Sequence, residues 1–533
     1  MNRTTIGSVM RGMCYGFTAL LFAASCANDN VTQDEKQNKD NIPAGATLFT
    51  GASQPEATTT RTAILNHTKG AGASVNWSST DKIWVKDDGG NWQQSTTTII
   101  PFAANPSYAK FALSGSYTGA SHDILYTNMA VTGTQPQVEI KAAQTQSAPN
   151  NFDHAGESGD CGIATGSKSG NDYGFTLNHK ASYLCFIPRT SNEYVKRSKL
   201  IKVEIMSDDE IAGTYDIAAD GSLTLASGGS KTITVTTGSG FDIDNTADDM
   251  SKNATYAVVA PGTHTFRIRY WLRNTTDNPR GAIEGTVSKI VTLNCTAGSI
   301  NDITANLDPH NYDGDHYYMW DAQNQYWYGY EWTKHLSGNT GQPTLNYVMS
   351  LPYAKSNTDS RYYHEGGGSG RFDATQSCAG LPNANEMSWY AMNGDPRYDA
   401  DELWTTMGYL YKGGMWLKKK SVLQADHHYD TEKSADGTTD MRTTFKNYSN
   451  SNSSINNSGL PSAADASNYF YLPAFGYYYD GGLNGVGDNS GIYWSSSAHP
   501  SHSGNAYTLY FGSSYVNVSY STRDFGLRVD WPD

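Results

Sequence analysis

Residues 491–529 read GIYWSSSAHPSHSGNAYTLYFGSSYVNVSYSTRDFGLRV, and this stretch decides how the C-terminal part of the chain is read. Apolar side chains alternate through it. Tyr507, Leu509 and Phe511 share one face of a strand, and Val516 and Val518 share one face of the next. Between them stand Thr508, Tyr510, Tyr515, Asn517 and Ser519. A period of two is that of a half-buried strand, so the spacing predicts paired strands with one face in a core and the other turned to solvent. The outward face is rich in Tyr, Ser, Asn and His and almost without charge. That mixture suits recognition, because Tyr gives wide contact at small entropy cost and Ser and Asn give adaptable hydrogen bonds. It equally suits the polar side of an ordinary antiparallel sheet, and composition leaves both readings open. Trp494 is expected in the core and Ser495 to Ser497 in bonds to a turn. Arg523 and Arg528 are expected to pair with carboxylates or backbone carbonyls rather than a ligand.

Working outward, the whole chain has 533 residues, enough for about three or four domains. Hydrophobic residues make up 38% and aromatic ones 12%, with 52 Gly and 36 Tyr, a profile that points to a turn-rich, mostly β, exported protein. The formal net charge is −14, and without a basic stripe no nucleic-acid partner is expected.

The N-terminus carries Arg3 and Arg11 and then a short apolar run, Cys14 to Ala24. The run is too short to span a membrane and ends in small residues, as a signal peptide does. Ala23-Ala24-Ser25-Cys26 resembles a bacterial lipobox, although that pattern prefers Leu where Ala23 stands. The resemblance implies a signal peptide over 1–25 and a lipid on Cys26 that anchors the protein to the outer membrane at the cell surface. A plain secretory signal cut near Ala24 is the alternative. Residues 26–60 are polar and poor in large apolar residues, and they read as a disordered tether. Cys161, Cys185, Cys295 and Cys378 show no metal-ligand spacing. Cys161 and Cys185 are the nearest candidates for a disulfide, and buried free thiols are the equal alternative.

From Arg61 the pattern turns to short strands separated by turns such as Asp87-Asp88-Gly89-Gly90 and Ala219-Asp220-Gly221. The motifs VNWSSTDKIWV, FTLNHKASYLCF, GTYDIAADGSLTL, ATYAVVAPG and TAGSINDITANL follow in order. Together they resemble the fimbrillin-like lipoproteins of Gram-negative anaerobes over about 61–307. The resemblance implies tandem transthyretin-like β-sandwich subdomains, split near 165, and service as pilus subunits or related surface proteins. It also implies cleavage after a basic residue near the N-terminus. Removal of the first strand then opens a groove that accepts a strand from a neighbouring subunit. Arg61 stands where that cut would fall, or is simply an exposed residue at the start of the domain.

Asp308 to Asp315 reads as a short linker into a last domain, 308–533. There, Asn383-x-x-Glu386 has the form of a capping box, which accounts for Glu386 better than a catalytic role does. Gly413-Gly414 reads as a turn into a buried strand, Met415-Trp416-Leu417. LPNANE, GGMWLKKK, YLPAFGY, YWSSS, Arg523 and Gly526-Leu527-Arg528 occur in one order. They resemble the C-type-lectin-like domains of bacterial surface proteins, including formylglycine-generating-type folds and the variable proteins of diversity-generating retroelements. The resemblance implies a mixed α/β domain whose ligand contacts come from the tail. Carried over position by position, these are His499, Ser501, His502, Tyr510, Ser513, Ser514, Tyr515, Asn517, Ser519, Tyr520, Ser521, Asp524 and Phe525, all expected to be exposed. Adenine-directed hypermutation acts commonly on Asn-type codons, whose products exclude Lys, Glu, Gln, Met and Trp, and none of the five occurs from Ser495 to Val529. The same depletion runs from Asn447, with Trp494 the sole exception, so a bias of the whole tail explains it as well.

No GxSxG elbow, HExxH helix or P-loop occurs. Gly366 to Gly370 lacks a strand–helix context and reads as a flexible loop. His427-His428 reads as an exposed loop, and Asp313 and Asp315 lack the other ligands of a calcium loop. No enzyme activity, cofactor or metal is therefore expected. The sequence points to a surface adhesin, at a pilus tip if it enters one, with a protein or glycan ligand on a host, microbe or phage. The alternative is a structural anchor or assembly subunit whose C-terminal domain docks to other pilus subunits.

Overall fold

The computed structural model describes residues 42–51, 63–65, 67–71, 73–102, 106–275, 281–331, 353–457 and 459–532. The expected signal peptide, Cys26 and Arg61 lie outside them. Strands dominate, and among the described residues no helix is long and apolar enough to cross a membrane.

The first sheet is nine-stranded. Thr47–Gly51 sits inside it, parallel to Asp172–Phe175 and antiparallel to Ala109–Leu113. The tether expected over 26–60 is corrected here, because this short apolar run is an interior strand. Phe49 is fully buried and stacks on Tyr173 with ring centroids 4.7 Å apart. Trp77, Phe111, Phe175 and Ile124 complete that core.

No single cut near 165 separates the two sandwich subdomains. Gly162–Ser169 pairs within the first sheet, against Ser121–Tyr126. Gln137–Ile140 and Ala143–Thr145, earlier in the chain, already pair with strands of the second subdomain. Hydrogen-bonded register, not position along the chain, assigns these segments. The second subdomain packs a long sheet against two three-stranded sheets. Ser182–Arg189 is the middle strand of one, bonded to Thr255–Val259 on one side and Ile300–Asn306 on the other. It is buried along nearly its whole length, as a strand covered on both faces must be. Leu184, Phe186, Val203, Ile205, Ile233 and Val235 fill the space between. The four cysteines expected to pair or lie buried are all buried free thiols.

The long sheet does not end with the sandwich. Ile283–Cys295 pairs parallel with Arg397–Thr406 at Thr286 and Glu402, and the sheet continues through Tyr409–Lys418 to Tyr469–Pro473. The join is charged and buried. Arg269 donates to Asp399 at 2.9 Å, and Glu402 accepts from Thr286 Oγ1 and from the backbone and hydroxyl of Ser288. The expected linker is fixed too. Asp308 accepts from Thr190, Ser191 and Asn192, and His310–Tyr312 pairs as a strand with Arg397–Thr406. Gly413-Gly414 lies inside Tyr409–Lys418 rather than at a turn, opposite a bulge in Arg397–Thr406 where Ala400, Asp401 and Glu402 face Gly413 alone. The pairing shifts between Asp399–Gly414 and Leu403–Lys412, with Gly413 at φ +92°.

The C-terminal sheet has six strands, in the order Tyr317–Tyr318, Leu527–Arg528, Gly491–Ala498, Asn505–Gly512, Tyr515–Thr522, Tyr448–Asn450. The helix Ala384–Asn393 packs against it. Asn383 and Glu386 form the expected capping box, and Tyr429 donates to the second oxygen of Glu386 at 2.7 Å.

Candidate functional site

Asn505–Gly512 and Tyr515–Thr522 form an antiparallel hairpin in unbroken register. Directly opposed residues share a face, so Leu509 with Val518 and Phe511 with Val516 make the inner face, all fully buried. Tyr510 opposite Asn517, Thr508 opposite Ser519 and Ala506 opposite Ser521 make the other face, with Tyr515 at the turn. Thr508 and Ala506 are buried on that face, because the neighbouring strand brings Trp494 beside Thr508. The open part is thus Tyr510, Tyr515, Asn517, Ser519 and Ser521, half-buried, with Ser513 half-buried and Ser514 exposed at the turn. The Tyr515 hydroxyl donates to that of Tyr510 at 2.8 Å. Burial, then this bond, push the Tyr515 phenol up to about 12. Asn517 Oδ1 is buried and has no hydrogen-bond partner.

The rest of the expected set lies elsewhere. Tyr520 is opposite Tyr507 and therefore on the side of the inner face, yet it is exposed. Its parity with Val516 and Val518 already gives that side. His499 was expected to be exposed and is 2% exposed. Phe445 stacks on it at 4.6 Å, Tyr520 meets it edge-on at 4.9 Å, and His502 lies 4.7 Å away. Its Nδ1 accepts from the Ser501 backbone at 3.1 Å, which leaves the ring proton on Nε2. Burial, aided by His502 and Arg523, lowers its pKa to about 4, so the ring is neutral at physiological pH. Ser501 and His502 remain exposed beside it. Phe525 stacks on Tyr477 at 5.2 Å with Tyr479 edge-on, and neighbouring Asp524 has a buried Oδ1 without a partner. Phe445, Tyr477 and Tyr479 were not found from the sequence. They lie outside the alternating stretch, and only packing brings them to it.

The framework behaves as the sequence reading expects. Trp494 is fully buried and donates to the Tyr318 carbonyl at 2.9 Å. Ser495 Oγ donates to the Pro382 carbonyl, and Ser497 Oγ accepts from Ala384 N at the start of the helix. Arg523, fully buried, donates to the carbonyls of Asn505, His364 and Gly366 and lies over the Trp320 ring. Arg528 pairs with Asp530 and lies over Phe475. The site can hold a partner by aromatic contact and hydrogen bonds.

No family model matches the chain, and no curated protein is significantly similar to it. Among solved structures, a cell-adhesion candidate from Bacteroides ovatus is similar at TM-score 0.29 and 11% identity, covering 49% of this chain and 92% of that one. A fimbrial protein from Bacteroides ovatus is similar at TM-score 0.24 and 11% identity over 90% of this chain and 98% of its own. The fimbrial anchor protein Mfa2 from Porphyromonas gingivalis is similar at TM-score 0.21 and 9% identity over 47% and 99%. Similarity this low defines neither the fold nor the function of this chain.

Proposed function

We propose that this protein is a lipid-anchored, pilus-associated surface adhesin whose C-terminal region, 308–533, presents the hairpin 505–522 to a protein or glycan ligand. The observation that carries this reading is the hairpin's two-faced build. Tyr510, Tyr515, Asn517, Ser519 and Ser521 stand over a fully buried core. Large aromatic and small polar groups on a locked frame are what an adaptable binding face needs. Cys26 is the lipid attachment residue in this reading.

Cleavage after Arg61 fits the same reading. It would free Thr47–Gly51, and the edges of Ala109–Leu113 and Asp172–Phe175 that this strand occupies would then accept a strand from another subunit. The lack of Lys, Glu, Gln, Met and Trp from Ser495 to Val529 supports diversification of the tail by a retroelement. A second reading, an anchor or assembly subunit whose C-terminal region docks to another subunit, is favoured by the continuous sheet joining sandwich and C-terminal region.

Two experiments separate these. The double variant Tyr510→Ala/Asn517→Ala is expected to lose adherence to a panel of host cells and glycans with its melting temperature unchanged. Unaltered adherence across a panel the native protein binds would sink the adhesin reading. Sequencing the locus in several isolates of one strain is expected to find substitutions on the open face, with Trp494, Arg523 and Arg528 fixed and a near-copy template nearby. A constant tail with no template removes diversification and favours the docking subunit.

A further inference from the structure

We propose that His67, Cys185 and Asp302 form a binding site for a divalent transition-metal ion of the zinc type. The ligands come from three separate parts of the sandwich. Cys185 lies on Ser182–Arg189, in register with Tyr256 on one side and Asp302 on the other. In-register neighbours send their side chains to the same face, so Tyr256, Cys185 and Asp302 form one row across three strands. His67 lies over this row.

The hydrogen bonds fix what each atom can do. Tyr256 Oη donates to Asn150 Oδ1 at 2.6 Å, so it accepts from Nδ1–H of His67 at 3.1 Å. That tautomer leaves a lone pair on His67 Nε2, which faces Asp302 Oδ1 at 3.4 Å. Asp302 Oδ2 is already occupied by the Gly70 N–H at 2.7 Å. Nε2 and Oδ1 are both buried and lack a hydrogen-bond partner, and His67 is only 3% exposed. Two acceptors turned on each other repel, and a cation between them removes the conflict.

The sulfur decides which cation. One ligand atom from each of the three residues lies within 4.8 Å of the others. Bonds of about 2.3 Å to sulfur and about 2.0 Å to nitrogen and oxygen would bring them to roughly 3.5 Å, a closure that small side-chain rotations can supply. Thiolate, imidazole and carboxylate together select zinc-like ions over calcium or magnesium. Water completes the shell on the side of Asp302, the least buried of the three. Tyr256 holds the histidine tautomer from behind and is itself stacked on Phe152 at 4.9 Å. On binding, the Cys185 thiol gives its proton to solvent as the metal–sulfur bond forms, so affinity falls as pH falls. The ion would staple the segment 67–70 to the middle of the second subdomain.

The test uses the full-length protein, reduced, stripped with a chelator and titrated with Co²⁺. One equivalent is expected to bind, with a near-ultraviolet sulfur-to-cobalt charge-transfer band and the strong visible bands of a tetrahedral site. Cys185→Ser is expected to abolish the near-ultraviolet band, and Cys378→Ser to keep it. Should Cys185→Ser fail to fold by circular dichroism, His67→Gln serves in its place, with binding weakened by at least about 100-fold, and Tyr256→Phe by about 10-fold. Zn²⁺ should raise the melting temperature of the native protein and not that of His67→Gln. Absence of the band in the native protein, or its survival in a folded Cys185→Ser, overturns the site and leaves His67 and Asp302 as a simple ion pair.

Discussion

In the second sandwich subdomain the strand Ser182–Arg189 is bonded on both edges, so its backbone groups are satisfied within the ladder and its core neighbours are mainly aliphatic. Around Trp320 and Arg523, by contrast, the backbone is largely irregular, and side chains must meet it. Asp321, fully buried at φ 54°, accepts from the backbone of Thr375, Gln376 and Cys378. Trp320 donates to Ser495 O, Tyr317 to Phe475 O, Tyr493 to Pro473 O, and Arg523 to three carbonyls. A buried carbonyl outside a ladder needs a donor, and Trp, Tyr and Arg bring one together with a large packing body. The density of aromatic residues in the C-terminal region therefore has a structural cause that is independent of any ligand.

The contrast can be broken by substitution. Arg523→Leu should cost about 4–5 kcal/mol in denaturant unfolding, since it removes three hydrogen bonds from a buried guanidinium together with its packing over Trp320. Arg523→Lys should recover only part, because one ammonium cannot reproduce the guanidinium fork. A loss under about 1 kcal/mol would mean the loops do not depend on it. In the first sheet, Phe49→Ala should cost about 3–4 kcal/mol through the cavity beside Tyr173. No effect would return Thr47–Gly51 to the tether. In the second subdomain, Ile205→Val should cost about 1 kcal/mol, the ordinary value for an aliphatic core.

Acid offers a comparison across both regions. His154 of the sandwich, bonded to Ser158 at 2.8 Å, and His499 of the C-terminal region are each lowered to about 4, chiefly by burial. The unfolded chain takes up these protons near the ordinary value of about 6.5, and the folded chain only near 4. Stability should therefore fall as pH drops from about 6.5 to 4. His499→Gln should flatten part of that slope, His154→Gln another part. Smallest of all, Tyr510→Ala or Asn517→Ala should change stability by less than about 0.5 kcal/mol while reducing binding. A larger loss of stability would identify the open face as core.

Much was legible in particular residues. The alternation from Tyr507 to Val518 contained the hairpin and its buried face, because strand geometry is a property of neighbouring residues. Asn383 and Glu386 contained the helix start for the same local reason. The face Tyr520 takes was legible too, from its parity with Val516 and Val518, and it is exposed there as the family resemblance implied. His499 was not legible, since its burial depends on Phe445, far away in the sequence.

The sequence by itself determined a mostly β chain, the period-two faces of its strands and the framework roles of Trp494, Arg523 and Arg528. Only tertiary structure decided that Thr47–Gly51 is an interior strand, that Thr286 meets Glu402 to carry one sheet from the sandwich into the C-terminal region, and that residues 67, 185 and 302 converge. Periodicity reports which way a side chain points on its own strand. Which strands lie side by side, and in what register, is fixed by hydrogen bonds and packing between segments a hundred or more residues apart.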